Sequence, residues 1–259
     1  MRKVIVRAAG RGSRAQASTN AKRIAGARAG LAREGLVDAA LALLQEGGLA
    51  ALSTRNLAAR LGVQSPALYW HMRDKQELLG LVADAICAGM RLPDESTTYR
   101  ARLEAIAAEY RRVLMKYRDA PRLFAELAPT GPHRIALYDA AVGAFLASGL
   151  APPDAIAMAT FYRNFLLGMI AEEARQAVRA TAGTLRPAQA LGVELAHLGD
   201  DAQKYRHLRG AAVFLADIDP DASFRLGVSV LLDGVDSQSS HARRSQAQPL
   251  RRRRTSKTR

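Results

Sequence analysis

The chain has a single cysteine, few aromatic residues and, at both ends, no acidic ones. One cysteine, Cys87, in 259 residues excludes an intramolecular disulfide and any cysteine-cluster zinc site. Aromatics make up 5% of the chain, so a core must be built largely from aliphatic side chains. No apolar run approaches the ~20 residues that span a bilayer. The Val-Ile-Val patch near the start is too short for a secretory segment. These absences predict a soluble chain in a reducing compartment, the cytoplasm, with no membrane partner. No segment alternates apolar and polar residues with β-branched enrichment, so no sheet is predicted. There is no internal repeat. Acidic residues are missing from 1–33 and from 237–259, which hold nine and eight basic side chains. The formal charge of +14 is therefore unevenly placed, because only 21 of the 38 basic residues remain for a middle that holds all 24 acidic ones. A slightly acidic body carries two basic arms. Such arms are either simply solvated or bind a polyanion, with nucleic acid the first candidate.

What is present is helical spacing. Val37, Ala40, Leu41 and Leu44 fall on one helix face, and Gly47-Gly48 ends that helix. Ser53 is placed to cap a second helix with Leu57, Ala58 and Leu61 inward, stopped by Gly62. Ser65 is placed to cap a third, with Pro66 at the first helical position, where its missing N–H costs nothing. Asp74 and Glu77 have capping-box spacing for a fourth helix that runs to about Met90. Further helices are predicted near 97–118, 121–127, 133–148, 153–179, 202–215 and 221–235, with a break between Thr181 and Asp201. The expectation is an all-α chain: a basic disordered arm over 1–32, a three-helix helix-turn-helix domain over 33–91, a helical ligand-binding and dimerisation domain over 92–236, and a basic disordered tail over 237–259.

The segment Ser53–His71 carries the sharpest signal. Ala58 is small where two helices cross closely, Gly62 follows at the turn, and Leu68 points back into the core, the spacing of a helix-turn-helix. If Leu68 and Met72 face inward on so short a helix, Pro66, Ala67, Tyr69 and Trp70 lie largely on its other faces. A bare Trp beside a Tyr is poor surface chemistry unless the helix enters a major groove, where apolar surface meets thymine methyls and polar groups reach bases or phosphates. The alternative is a Trp70 that packs beneath the body.

Residues 34–90 resemble the DNA-binding domain of the tetracycline-repressor (TetR) family. The resemblance rests on Thr54-Arg55, Leu57-Ala58, Leu61-Gly62-Val63, the string Pro66 to His71, Lys75 and Leu78-Leu79. It is closest to the branch of the family's namesake. It implies that Arg55 reads a guanine edge, that Thr54, His71 and Lys75 hold phosphates, that Pro66 and Ala67 meet thymine methyls, and that Tyr69 contacts a base or phosphate. With Ser65 and Trp70 these form the DNA-binding set. Ser65 and Ala67 stand where the namesake has longer or more polar side chains, so operator sequence does not transfer. Residues 34–90 hold four basic and six acidic side chains, and the N-terminal arm is the expected source of additional phosphate contacts.

The resemblance extends past residue 92 through Tyr110–Asp119 and Asn164–Glu172. It implies a helical regulatory domain whose small-molecule effector releases DNA from a homodimer. Phe124 stands at the apparent position of the family's metal-binding histidine, and Ile106 and Asn164 replace polar drug-contacting residues. Glu172 alone makes a poor magnesium site, so neither a metal nor any cofactor is expected, and Glu172 has Arg175 and Gln176 in reach on its own helix. Tyr110, Phe124, Leu127, Phe161, Phe165 and Met169 either line a pocket for an apolar or aromatic ligand, with Asn164 as polar anchor, or are ordinary core. Phe224, Val228, Leu231 and Val235 form one candidate dimer stripe, and Phe165, Ile170 and Ala174 contribute to another. The competing functions are a DNA-compacting protein that uses its arms and a helical enzyme. The four histidines outside the Leu-Tyr-Trp-His string, at 133, 197, 207 and 241, are scattered and match no catalytic or metal spacing.

Overall fold

A computed structural model describes residues 33–198, 204–211, 214–215 and 218–247, with side chains to residue 240. The expected N-terminal arm and the last twelve residues lie outside these. The chain divides into two compact units, Met1–Ala85 and Ile86–Arg259. The described residues contain helices and no strand. No helix among them is long and apolar enough to cross a membrane.

In the first unit, helix α1 covers 33–51. Its buried face is Leu36, Ala40, Leu43 and Leu44. The stripe therefore sits one residue from the expected one, and Val37 and Leu41 are only half-buried. Gly48 takes φ 68°, the left-handed angle that glycine adopts at no Cβ cost, and a last turn follows to 51. Helix α2 (Thr54–Leu61) buries Leu57 and Ala58, while Leu61 is half-buried. Helix α3 (Ser65–Leu68) is a single turn. Helix α4 (Lys75–Ala88) follows, with Leu78, Leu79, Val82 and Ala83 buried.

The second unit holds α5 (Tyr99–Leu114), α6 (Ala120–Glu126), α7 (Pro132–Ala147), α8 (Pro152–Thr181), α9 (Pro187–His197), α10 (Arg206–Ala211) and α11 (Pro220–Ala247). Its core forms where α5, α6, α7 and α8 meet. Tyr162 packs edge-on to Phe145 with ring centroids 5.9 Å apart, and its hydroxyl donates to the Leu103 carbonyl at 2.7 Å. That bond satisfies the one polar atom of a fully buried ring.

Two expectations are corrected here. Helix α9 occupies the segment read as a break: Pro187 opens it, and the Arg186 N–H donates to Gln189 Oε1 at 3.0 Å, so a side chain three residues into the helix satisfies an entry amide. Among the described residues of the helix expected over 202–215, α10 covers Arg206–Ala211. Helix α11 runs on to Ala247, so 237–247 is helical and not an irregular tail; Ser239 is buried there and its hydroxyl lies 3.4 Å from that of Ser148.

The stripe on α11 also differs. Phe224, Val228 and Val235 are buried within the subunit, with Leu232 in place of the half-buried Leu231. Ile170 on α8 is buried as well. The exposed apolar residues of α11 are Leu226 and Val230, 65% and 61% accessible, and α8 exposes Phe161 at 57%. Gly227 lies where a Cβ would sit 2.8 Å from Phe165 Cζ, so α8 and α11 approach closely only because that position lacks a side chain.

Candidate nucleic-acid interface

The recognition segment begins at a cap. The Ser53 hydroxyl accepts from the Asn56 N–H at 3.1 Å, and the Asn56 side chain donates to the Ala51 carbonyl at 2.9 Å. This fixes the start of α2, where Thr54 is half-buried and Arg55 exposed. Gly62 closes α2 at φ 67°, and the Val63 N–H returns to the Ala58 carbonyl at 3.0 Å, the terminal geometry that favours glycine. Gln64, not Ser65, is the N-cap of α3, and its side chain makes no capping bond. Ser65 and Pro66 therefore occupy the first helical positions. Proline suits them because no intrahelical acceptor is available to an N–H there.

After Leu68 the chain continues as tight turns, with His71 N–H to Leu68 O at 2.9 Å and Met72 N–H to Leu68 O at 3.1 Å. Leu68 and Met72 are both buried. These two anchors set the direction of everything between them. Tyr69 is 56% accessible and Trp70 87%, so Trp70 is not part of the core of the first unit. Pro66 and Lys75 are exposed, and Ser65, Ala67 and His71 are half-buried.

Charge is divided within this unit. Arg60 forms a two-pronged pair with Glu46 at 2.7 and 2.8 Å. Glu77 accepts from the Arg73 backbone N–H at 2.8 Å, from its guanidinium at 3.2 Å and from Arg33 at 2.8 Å. The Arg73 amide, followed by its guanidinium, holds the Glu77 carboxyl below the usual range. Asp74 Oδ1 accepts from the Glu77 N–H at 2.8 Å, which is half of the expected capping box; Glu77 returns its bond to Arg73 and not to Asp74. Arg60 and Arg73 thus brace the scaffold, whereas Arg55 and Lys75 have no ion pair among the described residues. The formal count of four basic against six acidic residues hides this split. The Glu77 hub was not anticipated, although its i,i+4 spacing from Arg73 is visible in the sequence.

In the second unit the proposed pocket residues do not share one environment. Ile106, Tyr110 and Phe124 are buried core, and burial pushes the Tyr110 hydroxyl well above its usual range. Phe161 and Asn164 are exposed, and the Asn164 side chain accepts from its neighbour Arg163 at 3.2 Å. Phe165, Met169 and Glu172 are half-buried. Glu172 accepts from Arg175 at 2.6 Å and from Gln176 at 3.1 Å, a local helix pairing. Among the described residues no three His, Cys, Asp or Glu side chains converge as metal ligands. A cleft of about 710 Å³ opens instead between α5, α8 and α11. Its walls include Ala108, Arg111, Met115, Glu173, Asp221 and Phe224, and none of the eight sequence-predicted residues lines it.

Comparison with known proteins places these features. Residues 36–82 match bacterial regulatory proteins of the tetR family, and 92–239 match the tetracyclin repressor-like C-terminal domain. The chain is 34% identical over 203 residues to the class A tetracycline repressor protein from transposon 1721 of Escherichia coli, spanning 77% of this chain and 88% of that protein. Among solved structures it resembles a possible TetR family transcriptional regulator from Streptomyces coelicolor A3(2), with 31% identity, a TM-score of 0.67, and 79% and 98% of the two chains covered. It also resembles a TetR variant from Acinetobacter baumannii in complex with minocycline, with 29% identity, a TM-score of 0.58, and 80% and 94% covered.

Proposed function

The chain belongs to the tetracycline-repressor family of bacterial regulatory proteins, and from that premise we infer that it is a ligand-responsive transcriptional repressor. As a homodimer it binds a palindromic operator in double-stranded DNA, and a small-molecule effector releases it. It acts in the cytoplasm, and no enzymatic reaction is assigned to it. The observation that best supports this function is Trp70, 87% accessible beside Tyr69 on a turn anchored by Leu68 and Met72. Water-exposed apolar surface of that kind gains stability when a partner covers it.

We assign DNA reading to residues 33–91 and effector binding with dimerisation to 92–236. Arg55, exposed and without an ion pair among the described residues, presents its fork of donors to a guanine edge. Thr54, His71 and Lys75 hold phosphates, and at Lys75 the positive N-terminal end of α4 adds to the attraction for the phosphate. Pro66, Ala67 and Trp70 supply apolar contact, and Tyr69 and Ser65 hydrogen-bond bases or phosphates. In a two-fold dimer the two copies of α3 meet half-sites about one helical turn apart. The exposed Phe161, Leu226 and Val230 suit the subunit interface. The test is to sequence DNA fragments selected by the full-length protein. A recovered palindrome is the expected outcome; equal retention of random fragments at physiological salt would replace the repressor with a compacting protein.

A further inference from the structure

The face of α5 next to the core forms the cleft. Ala107, Met115, Phe224 and Val228 give it an apolar lining, and about 710 Å³ is within the range that encloses a drug-sized molecule. Arg111 is its fixed polar feature. Its guanidinium lies 5.1 Å from the Phe224 ring centroid and grips Glu173 through two bonds of 2.8 Å, the bidentate geometry that locks an arginine in orientation. Both partners of that grip are well shielded, with side chains 23% and 18% accessible.

The remaining edge of Arg111 is held differently. Nη1 donates to Asp221 in the first turn of α11, and Asp221 also pairs with Arg225 four residues on. Asp221 and Arg225 are 44% and 66% accessible, so these pairs compete with water and are readily exchanged. Arg112 adds a third cation at the rim, and its own carboxylate partner, Glu109, is not part of the lining. The cleft therefore combines an apolar floor, one pre-oriented guanidinium edge and an exposed carboxylate resting on that edge.

We propose that this cleft is the effector site, and that it takes a flat aromatic or alicyclic carboxylic acid. The hydrocarbon lies on Ala107, Met115 and Val228, and the ligand's carboxylate replaces Asp221 on Arg111 and Arg225. This rests on the effector-responsive reading above, but its chemistry can be tested without DNA.

The probe is 2-naphthoate, titrated calorimetrically into full-length protein up to ~1 mM, a weak-binding range for an unoptimised ligand. One site per chain is expected, with the neutral isostere 2-naphthamide binding about tenfold more weakly, as a lost charge-assisted pair implies. Ser229→Trp, which fills the cleft from an exposed position, should abolish binding. Asp221→Asn should tighten it several-fold by removing the competing carboxylate, a sign that mere loss of structure does not produce. Absence of heat with naphthoate, equal binding of the amide, survival of binding in Ser229→Trp, or weaker binding in Asp221→Asn would each overturn the assignment. So would dissociation of the dimer by Ser229→Trp in light scattering, which would mean that a second copy covers the cleft. Operator affinity of the unliganded protein, measured separately, reports on the repressor function: its loss refutes that function, whereas its persistence beside any of these failures refutes the cleft alone.

Discussion

The turn carrying Tyr69 and Trp70 and the cleft beneath Arg111 handle exposed chemistry in opposite ways. At the turn, nearby arginines are tied to acids that brace the scaffold, as Arg60 is to Glu46 and Arg73 to Glu77, and the groups left outward are bare aromatics and Arg55, which has no ion pair among the described residues. In the cleft the order is reversed. The apolar floor is sheltered and the guanidinium edge is occupied, by Glu173 on one side and Asp221 on the other. A surface built to meet a large polyanion leaves its cation free. A site built for a small molecule holds its cation in position and covers it with a replaceable partner.

The largest effect should separate two residues that stand two positions apart on the same turn. Leu68 is 2% accessible, and Leu68→Ala should lower the unfolding free energy of the first unit by about 3 kcal/mol through a buried cavity. Trp70→Ala should leave denaturant unfolding within roughly 0.5 kcal/mol of the parent, as at other surface sites, while removing operator binding. If Trp70→Ala destabilises as much as Leu68→Ala, the ring is structural and the contrast fails. Next in size, Arg55→Ala should cost about 1–3 kcal/mol of operator affinity and relax the preference at one base pair per half-site. Uniform weakening on every sequence, measured on a set of single-base operator variants, would assign Arg55 to a phosphate.

A smaller effect probes the second unit. Gly227→Ala improves helix propensity, yet its Cβ would meet Phe165 Cζ at 2.8 Å. The net expectation is a loss of about 1 kcal/mol, since overpacking outweighs the propensity gain. Combined with Phe165→Leu, the same alanine should stabilise. A double-mutant cycle by thermal unfolding measures this; additivity of the two changes would show that the ring is free to move aside.

The same contrast explains what could be read from the sequence. Ser53, Gly62, Leu68 and Met72 act within about one helical turn of their partners, so spacing alone located the recognition segment and left Trp70 outside. The cap of α3 was displaced by one residue because Gln64 and Ser65 are both compatible with the turn, and only the backbone path chooses between them. In the second unit, periodicity located most helices but not their neighbours. Phe224 and Val228 have the same stripe whether they face a partner subunit or α5, and the packing turns them inward. Asn164 and Phe161 lie on the outer face of α8, while Ile106 and Phe124 are filled core. The cleft depends on residues from 104 to 229, brought together by three helices whose sequence separation carries no periodic signal.

A last effect is set by pH. Glu109 on α5 accepts from Arg112 Nε at 2.9 Å and from the Arg91 backbone N–H at 3.0 Å, and its side chain is only 11% accessible. The Arg112 guanidinium first, with the Arg91 amide behind it, holds this carboxyl at about 2, against an ordinary 4.5. A carboxyl whose folded value is depressed stabilises the fold wherever it is ionised in both states, which is above about 4.5, and loses that contribution as pH falls toward 2. Glu109→Gln should therefore lower the melting temperature at pH 7, and the gap to the parent protein should close steadily between pH 4.5 and 2.5. Operator affinity at neutral pH should be unchanged once both proteins are folded, because Glu109 braces α5 and contributes nothing to the unpaired surface of the recognition turn. A melting-temperature gap that stays constant across that interval would show that the variant acts through packing and that the arginine clamp adds no charge-dependent stability.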